Sequence, residues 1–235
     1  MMNRKFSSVF LWPFFDLGVL FFLLFPGFSA MADEREVDPH ALLQAVRLSQ
    51  FQEGTVLEGT LRSGREQYPV TIRVTPQGIQ YDLNKESFLL QFDTSKSTLS
   101  KLSASGTPSP LTPDELRTAI AQTDLTFEDL SLWFLYWENL EYQGTQIIGP
   151  RRTHQILARA PNRDSQYSGV VLWLDQQSGA LVKMDGYNWD GKICKRFQVV
   201  RVKKIQDYWS LGQLRVETIN PENEKVLSRT YMTID

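Results

Sequence analysis

From Val170 to the last residue the chain is punctuated at short, regular intervals. Gln176-Gln177-Ser178-Gly179, Asp190-Gly191, Gln206-Asp207 and Asn220-Pro221-Glu222-Asn223 separate runs rich in β-branched and aromatic residues. Connections this short allow only antiparallel neighbours, because a parallel crossover needs a dozen residues or more. The second half of the chain must therefore be an up-and-down meander. The first half is punctuated in the same way. Strands are expected over 55–62, 67–75, 79–84 and 87–93, divided by Ser63-Gly64, Pro76-Gln77-Gly78 and Asn84-Lys85. A short fifth strand follows over 97–102, then a Ser-, Gly- and Pro-rich surface loop over 103–110. Segments 151–160 and 169–175, with the polar loop 161–166 between them, lead into the later hairpins. The whole amounts to roughly eleven strands.

Asp190-Gly191 reads as a two-residue type I′ turn, which fixes register. Met184 then faces Phe197 and Val182 faces Val199 on one side of the hairpin. Asp185 faces Arg196 and Tyr187 faces Cys194 on the other. Apolar pairs and an ion pair fall on opposite faces, as a half-buried sheet requires. The ion pair reads as exposed, contributing about 0–1 kcal/mol.

One stretch, 111–137, breaks the strand pattern. Thr112-Pro113-Asp114-Glu115 is a helix start with a cap, a proline at the first helical position and a glutamate that reaches back. Leu116, Ala119 and Ile120 follow at helical spacing. A second start at Thr126 carries Glu128 and Asp129 in its first turn. Phe127, Leu130, Trp133, Phe134 and Trp137 then recur at steps of three and four, with Leu132, Leu135 and Tyr136 between them. Helices apolar nearly all round are buried or line something apolar. An ordinary core helix is the plainer reading. The sharper one is a lid that plugs the concave face of a sheet too curved to fill its own interior. The expected fold is mainly β (α+β): an unclosed antiparallel half-barrel with a helical lid. An earlier helix is expected from Asp38-Pro39 to about Gln50, with Leu42, Leu43, Val46 and Leu48 on its apolar side.

The N-terminus carries an address. Asn3-Arg4-Lys5 precedes an apolar run over 6–28, interrupted by Pro13 and Asp16 and broken by Pro26-Gly27. Ala30-Met31-Ala32 is a signal-peptidase pattern, so 1–32 is expected to be a cleaved signal peptide and 33–235 a single exported domain. An uncleaved membrane anchor is the other reading of that run. No cysteine follows it, so the chain is not itself a lipid-modified lipoprotein. Cys194 is the only cysteine and can form no internal disulfide. It reads as a small packed strand residue.

Chemistry is sparse. The formal net charge is -2, and Arg151-Arg152, Lys195-Arg196 and Lys203-Lys204 are short, scattered pairs, so no nucleic-acid partner is expected. The pairs read as solvated strand faces. His40 and His154 have no Cys or Glu at metal-ligand spacing. There is no Gly-x-Ser-x-Gly turn and no phosphate-binding glycine loop. Glu128 and Asp129 are adjacent on a helix and point in different directions, so helix-end charges explain them better than an acid pair. Asp175, Asp185 and Asp190 belong to turns or a cross-strand pair. No catalytic residue, metal or cofactor is expected. What remains is apolar surface able to enclose an acyl chain or a peptide.

Three blocks carry a family resemblance: Leu125-Thr126-Phe127-Glu128-Asp129-Leu130-Ser131 running into Phe134-Leu135-Tyr136-Trp137; Leu172-Trp173-Leu174-Asp175 with Ser178-Gly179-Ala180-Leu181-Val182-Lys183-Met184-Asp185-Gly186-Tyr187; and Lys225-Val226-Leu227-Ser228-Arg229-Thr230-Tyr231. With them the chain resembles the LolA-like outer-membrane lipoprotein-sorting proteins, densely from Leu125 onward and weakly before Ser100. The resemblance implies a monomeric periplasmic carrier, not an enzyme. Its hydrophobic cavity would take lipoprotein acyl chains from an inner-membrane release complex and pass them to an outer-membrane acceptor. Leu116, Ile120, Phe127, Leu130, Trp133, Phe134 and Trp137 are the candidate cavity or lid residues. A periplasmic sensor binding lipid, lipoprotein or a protein partner on the same scaffold, and a cell-envelope hydrolase, are the alternatives.

Overall fold

Strand alternation and short turns run through almost the whole of the computed structural model, which describes residues 37–49, 53–205 and 208–235. The expected leader and the Gln206-Asp207 turn lie outside the described residues. The described residues open with α1 (Pro39–Ser49), ahead of which Asp38 Oδ1 accepts from the His40 amide at 2.9 Å. Leu43 and Val46 bury its apolar side. Six strands follow: β1 (Val56–Ser63), β2 (Glu66–Thr75), β3 (Gly78–Leu83), β4 (Glu86–Phe92), β5 (Ser97–Leu102) and β6 (Pro108–Pro110). Then come α2 (Pro113–Leu116), α3 (Phe127–Ser131) and a 3-10 turn, Trp133–Tyr136. Seven strands complete the chain: β7 (Asn139–Ile148), β8 (Arg151–Arg159), β9 (Gly169–Asp175), β10 (Leu181–Tyr187), β11 (Ile193–Ile205), β12 (Tyr208–Ile219) and β13 (Val226–Ile234).

The thirteen strands of the described residues form one antiparallel sheet, in the order β6-β5-β4-β3-β2-β1-β13-β12-β11-β10-β9-β8-β7. Two strands exceed the expected number, and both are edges. β6 lies in the presumed loop; its prolines lack the amide that an inner strand must donate, and an edge tolerates that. β7 hides its alternation behind a register shift between Tyr142 and Gly144, where Gly144 takes φ +98.

The order has a topological consequence. β1 pairs with β13 in the middle of the sheet, while β6 and β7 stand at its opposite ends. The segment between them must therefore cross from one edge to the other. Phe127 packs on Phe88 of β4 with ring centroids 4.6 Å apart. The Asp124 amide donates to Thr230 Oγ1 of β13 at 2.8 Å, and Lys195 of β11 reaches Asp129. One short segment touching β4, β13 and β11 requires the sheet to wrap around it. The interior so formed is a single core. Ile79, Leu90, Leu99, Ile156, Leu172, Met184, Val216 and Ile234 from the strands meet Ile120, Leu125, Phe134, Leu135 and Trp137 from the crossing segment. A separate small cluster, Val171, Trp173 and Val182, lies on β9 and β10. Consecutive residues of a strand point to opposite faces, so Val171 and Trp173 oppose Val170 and Leu172 of the main core.

The β10–β11 hairpin keeps the expected partners Met184–Phe197 and Asp185–Arg196. Tyr187 faces Ile193 rather than Cys194, because the register shifts between Gly186 and Tyr187. The turn is not type I′. The Gly191 amide donates to Asn188 O at 2.9 Å and the Asn188 amide to Lys192 O at 2.8 Å, with only Gly191 at positive φ, +74. That is a three-residue loop, a type I turn closed by a left-handed glycine. The Asp185–Arg196 pair is not exposed either. Asp185 is buried and takes Arg196 Nε at 2.8 Å and Nη2 at 3.1 Å. Its Oδ2 also accepts Lys183 Nζ at 2.9 Å.

Candidate functional site

The crossing segment is far less helical than its spacing suggests. Thr112 and Glu115 form the expected capping box, but α2 ends at Leu116. Ile120 is buried instead by a tight loop: its amide donates to Leu125 O at 2.8 Å, Ala119 bridges Thr126, and Ala121 takes φ +52. α3 starts as expected at Thr126, whose hydroxyl accepts the Asp129 amide while Asp129 Oδ2 accepts the Thr126 amide at 2.8 Å. It ends after five residues, because Leu132 is left-handed (φ +53, ψ +23) and redirects the chain into the 3-10 turn. On an unbroken helix Phe134 and Leu135 would point about 100° apart. The redirection lets both bury alongside Leu130 and Trp137.

The seven candidate residues come together against one core. Ile120, Leu130, Phe134 and Trp137 are buried in it, and Leu116, Phe127 and Trp133 pack on it, half-buried. The Trp133 and Trp137 rings meet in a T-shape, 5.9 Å between centroids. The first helix joins them where Arg47 lies 4.7 Å over the Tyr136 ring.

Polar groups hold the segment down, and sequence reasoning missed most of them. Glu128 and Asp129 are helix-end charges, as expected, with Asp129 closing the capping box on Thr126, but both are buried and make further bonds. Asp129 accepts Lys195 Nζ at 2.8 Å, the Tyr167 hydroxyl at 2.6 Å and Gln166 Nε2 at 3.3 Å. Glu128 accepts the Ser165 hydroxyl and the Gln166 amide. Burial raises the Glu128 carboxyl above its usual range, against the pull of those two donors. Burial, followed by the Asp129 charge, pushes the Tyr167 phenol well above 10. Lys195 was read as part of a solvated face and is buried. The signal was present in the register: Lys195 shares strand parity with core-facing Phe197, and a cation on that face needs a carboxylate. A second clamp lies at Asp124, which accepts the hydroxyls of Thr218, Ser228 and Thr230. Cys194 is half-buried, and burial pushes its thiol up to about 11. It packs against the main core, in keeping with a structural residue. His154 Nδ1 meets the Tyr142 hydroxyl at 3.0 Å.

The antiparallel sheet, open between β6 and β7 and wrapped round the crossing segment, shares its fold with several solved structures. The LolA superfamily protein of Nitrosomonas europaea superposes with TM-score 0.61 at 12% identity, over 85% of this chain and 92% of that one. A DUF1329 family protein from Desulfovibrio piger gives TM-score 0.63 at 15% identity, over 83% and 89%. A domain from Vibrio parahaemolyticus described as outer membrane lipoprotein-sorting gives 0.60 at 13%, also over 83% and 89%. A family model that carries only the description "Uncharacterized protein" matches residues 100–235, more than half of the chain, and the chain belongs to that family. No curated protein matches it in sequence.

Proposed function

We propose that the protein is a carrier of the bacterial cell envelope that shields the acyl chains of lipoproteins or related lipids, with 111–137 as its lid. The observation that carries this reading is the topology. The only covalent bridge between edge strands β6 and β7 is the crossing segment, and that segment supplies Ile120, Leu125, Leu130, Phe134, Leu135 and Trp137 to the shared core. Lifting it would expose a continuous apolar trough without breaking a strand pair. An acyl chain placed there would replace side-chain burial with ligand burial, about 0.8 kcal/mol for each CH₂ group. Export through a cleaved leader over 1–32 fits the same reading, and the likeness to LolA-superfamily structures supports the scaffold.

Tryptophan emission tests it, because Trp133 and Trp137 stand within the segment. Adding a lipopeptide or a long-chain fatty acid should shift the emission. Leu130→Glu should abolish the shift, since a carboxylate on that face must be desolvated or protonated. Far-UV circular dichroism must first show that the variant is folded. A folded Leu130→Glu protein that binds as wild type does would reduce the segment to core packing and overturn the carrier reading.

A further inference from the structure

Among the described residues few buried polar side-chain atoms lack a hydrogen-bond partner; Trp137 Nε1 of the crossing segment is one, and Ser97 Oγ of β5, a strand packed against the 3-10 turn, is another. Trp137 is 3% exposed and follows directly on the 3-10 turn, just ahead of edge strand β7. Ser97 shares strand parity with core-facing Leu99 on β5, which packs against the 3-10 turn. Buried donors without partners are rare, because each forfeits its hydration for nothing in return. The Trp133 and Trp137 rings meet in a T-shape, and any N–H···π contact there is weaker than a bond to oxygen.

We infer that Trp137 Nε1–H, assisted by Ser97 Oγ on the strand that packs against the same turn, is the polar anchor for the head of an acyl ligand, and that the group it takes is a neutral carbonyl oxygen of an ester or amide. This rests on the carrier reading and adds to it the chemistry that fixes a chain's depth. An indole N–H donates and cannot accept, so its partner must be an acceptor. Apolar surroundings penalise a charged one: Phe134, Leu135 and Trp133 are its neighbours in sequence and in the core. A pure hydrocarbon would fill the trough equally well and leave the donor orphaned. The site therefore distinguishes an acyl ester from an alkane of the same length, a distinction that apolar walls alone do not make.

The experiment compares methyl palmitate with hexadecane, by calorimetric titration and by the ¹⁵N-indole resonances of the tryptophans. Wild type should bind the ester about five- to tenfold more tightly than the alkane, the worth of one net hydrogen bond. The Trp137 N–H resonance should move downfield with the ester only. Trp137→Phe should erase the preference, so that ester and alkane bind this variant equally whatever its overall affinity, and Ser97→Ala should narrow it. A preference for the ester that survives in Trp137→Phe, or an indole resonance indifferent to the ester, overturns the anchor and leaves the carrier reading standing. Failure of wild type to bind either ligand overturns the carrier reading and the anchor with it. Should Trp137→Phe not fold, the wild-type indole resonance decides alone.

Discussion

Lys195 of β11 places its ammonium 2.8 Å from Asp129 Oδ2 of α3, and both side chains are almost fully withdrawn from water. Tyr167 completes the arrangement, donating its hydroxyl to Asp129 while its ring lies 5.9 Å from the Lys195 nitrogen. A buried pair of this kind adds little over a well-packed apolar pair, but removing one member strands the other charge. Lys195→Met is therefore expected to destabilise the protein by about 3–5 kcal/mol. The shift in urea midpoint reads it, with an unchanged slope showing that the folded state is otherwise the same. A loss below about 1 kcal/mol would mean that Asp129 is held well enough by Thr126, Gln166 and Tyr167 alone.

Gly186 stands opposite Lys195 across the β10–β11 ladder, and the Tyr167 ring occupies the place of its missing side chain. A Cβ built there falls 2.5 Å from Tyr167 Cε1, and that ring is 1% exposed, so it has no room to retreat. Gly186→Ala should cost about 1–3 kcal/mol by overpacking. It should also displace the phenol from Asp129. Pairing Gly186→Ala with Tyr167→Leu in a double-mutant cycle should recover much of the loss. Strict additivity of the two changes would show that the ring is not what requires the glycine.

The meander was legible because its turns are local. Ser63-Gly64, Pro76-Gln77-Gly78 and Gln176-Gln177-Ser178-Gly179 announce themselves in sequence, and β5 and β9 fall where the sequence puts them. Edge strand β6 was not legible, because Pro108-Ser109-Pro110 reads as loop unless the neighbouring strand is known. Candidate residues Leu130, Phe134 and Trp137 followed from apolar spacing, whereas their helix did not. Leu132 enters the left-handed region for packing reasons that no residue nearby advertises. The clamps at Asp124 and Asp129 join residues far apart in the chain, and only the register hint at Lys195 pointed to either.

Gly191 tests the turn chemistry. Its φ of +74 lies where a β-branched residue is strained, yet a Cβ there meets nothing within 4 Å. Gly191→Val should thus cost about 1–2 kcal/mol, from backbone conformation alone. Gly191→Asn, which tolerates that region, should lose less than half as much. Equal losses in the two variants, read from urea midpoints, would point to side-chain contact instead of φ.

Glu128 provides the pH test. Its carboxyl is raised above the usual range mainly by burial, outweighing the Ser165 and Gln166 hydrogen bonds. A carboxyl raised in the folded state holds its proton there after the unfolded chain has lost it. Its contribution to stability is therefore complete below the unfolded pKa near 4.5 and is lost as pH rises through the folded value. Glu128→Gln carries no such proton and keeps an acceptor for the Gln166 amide, so this loss is absent from the variant. Stability of Glu128→Gln relative to wild type should accordingly climb as pH goes from about 4 toward 7 and then level off. Thermal midpoints of both proteins across that range measure it, the difference cancelling every other titrating group they share. A difference that stays flat, or that falls as pH rises, would mean that the Ser165 and Gln166 donors outweigh burial and that Glu128 is ionised in the fold at no cost.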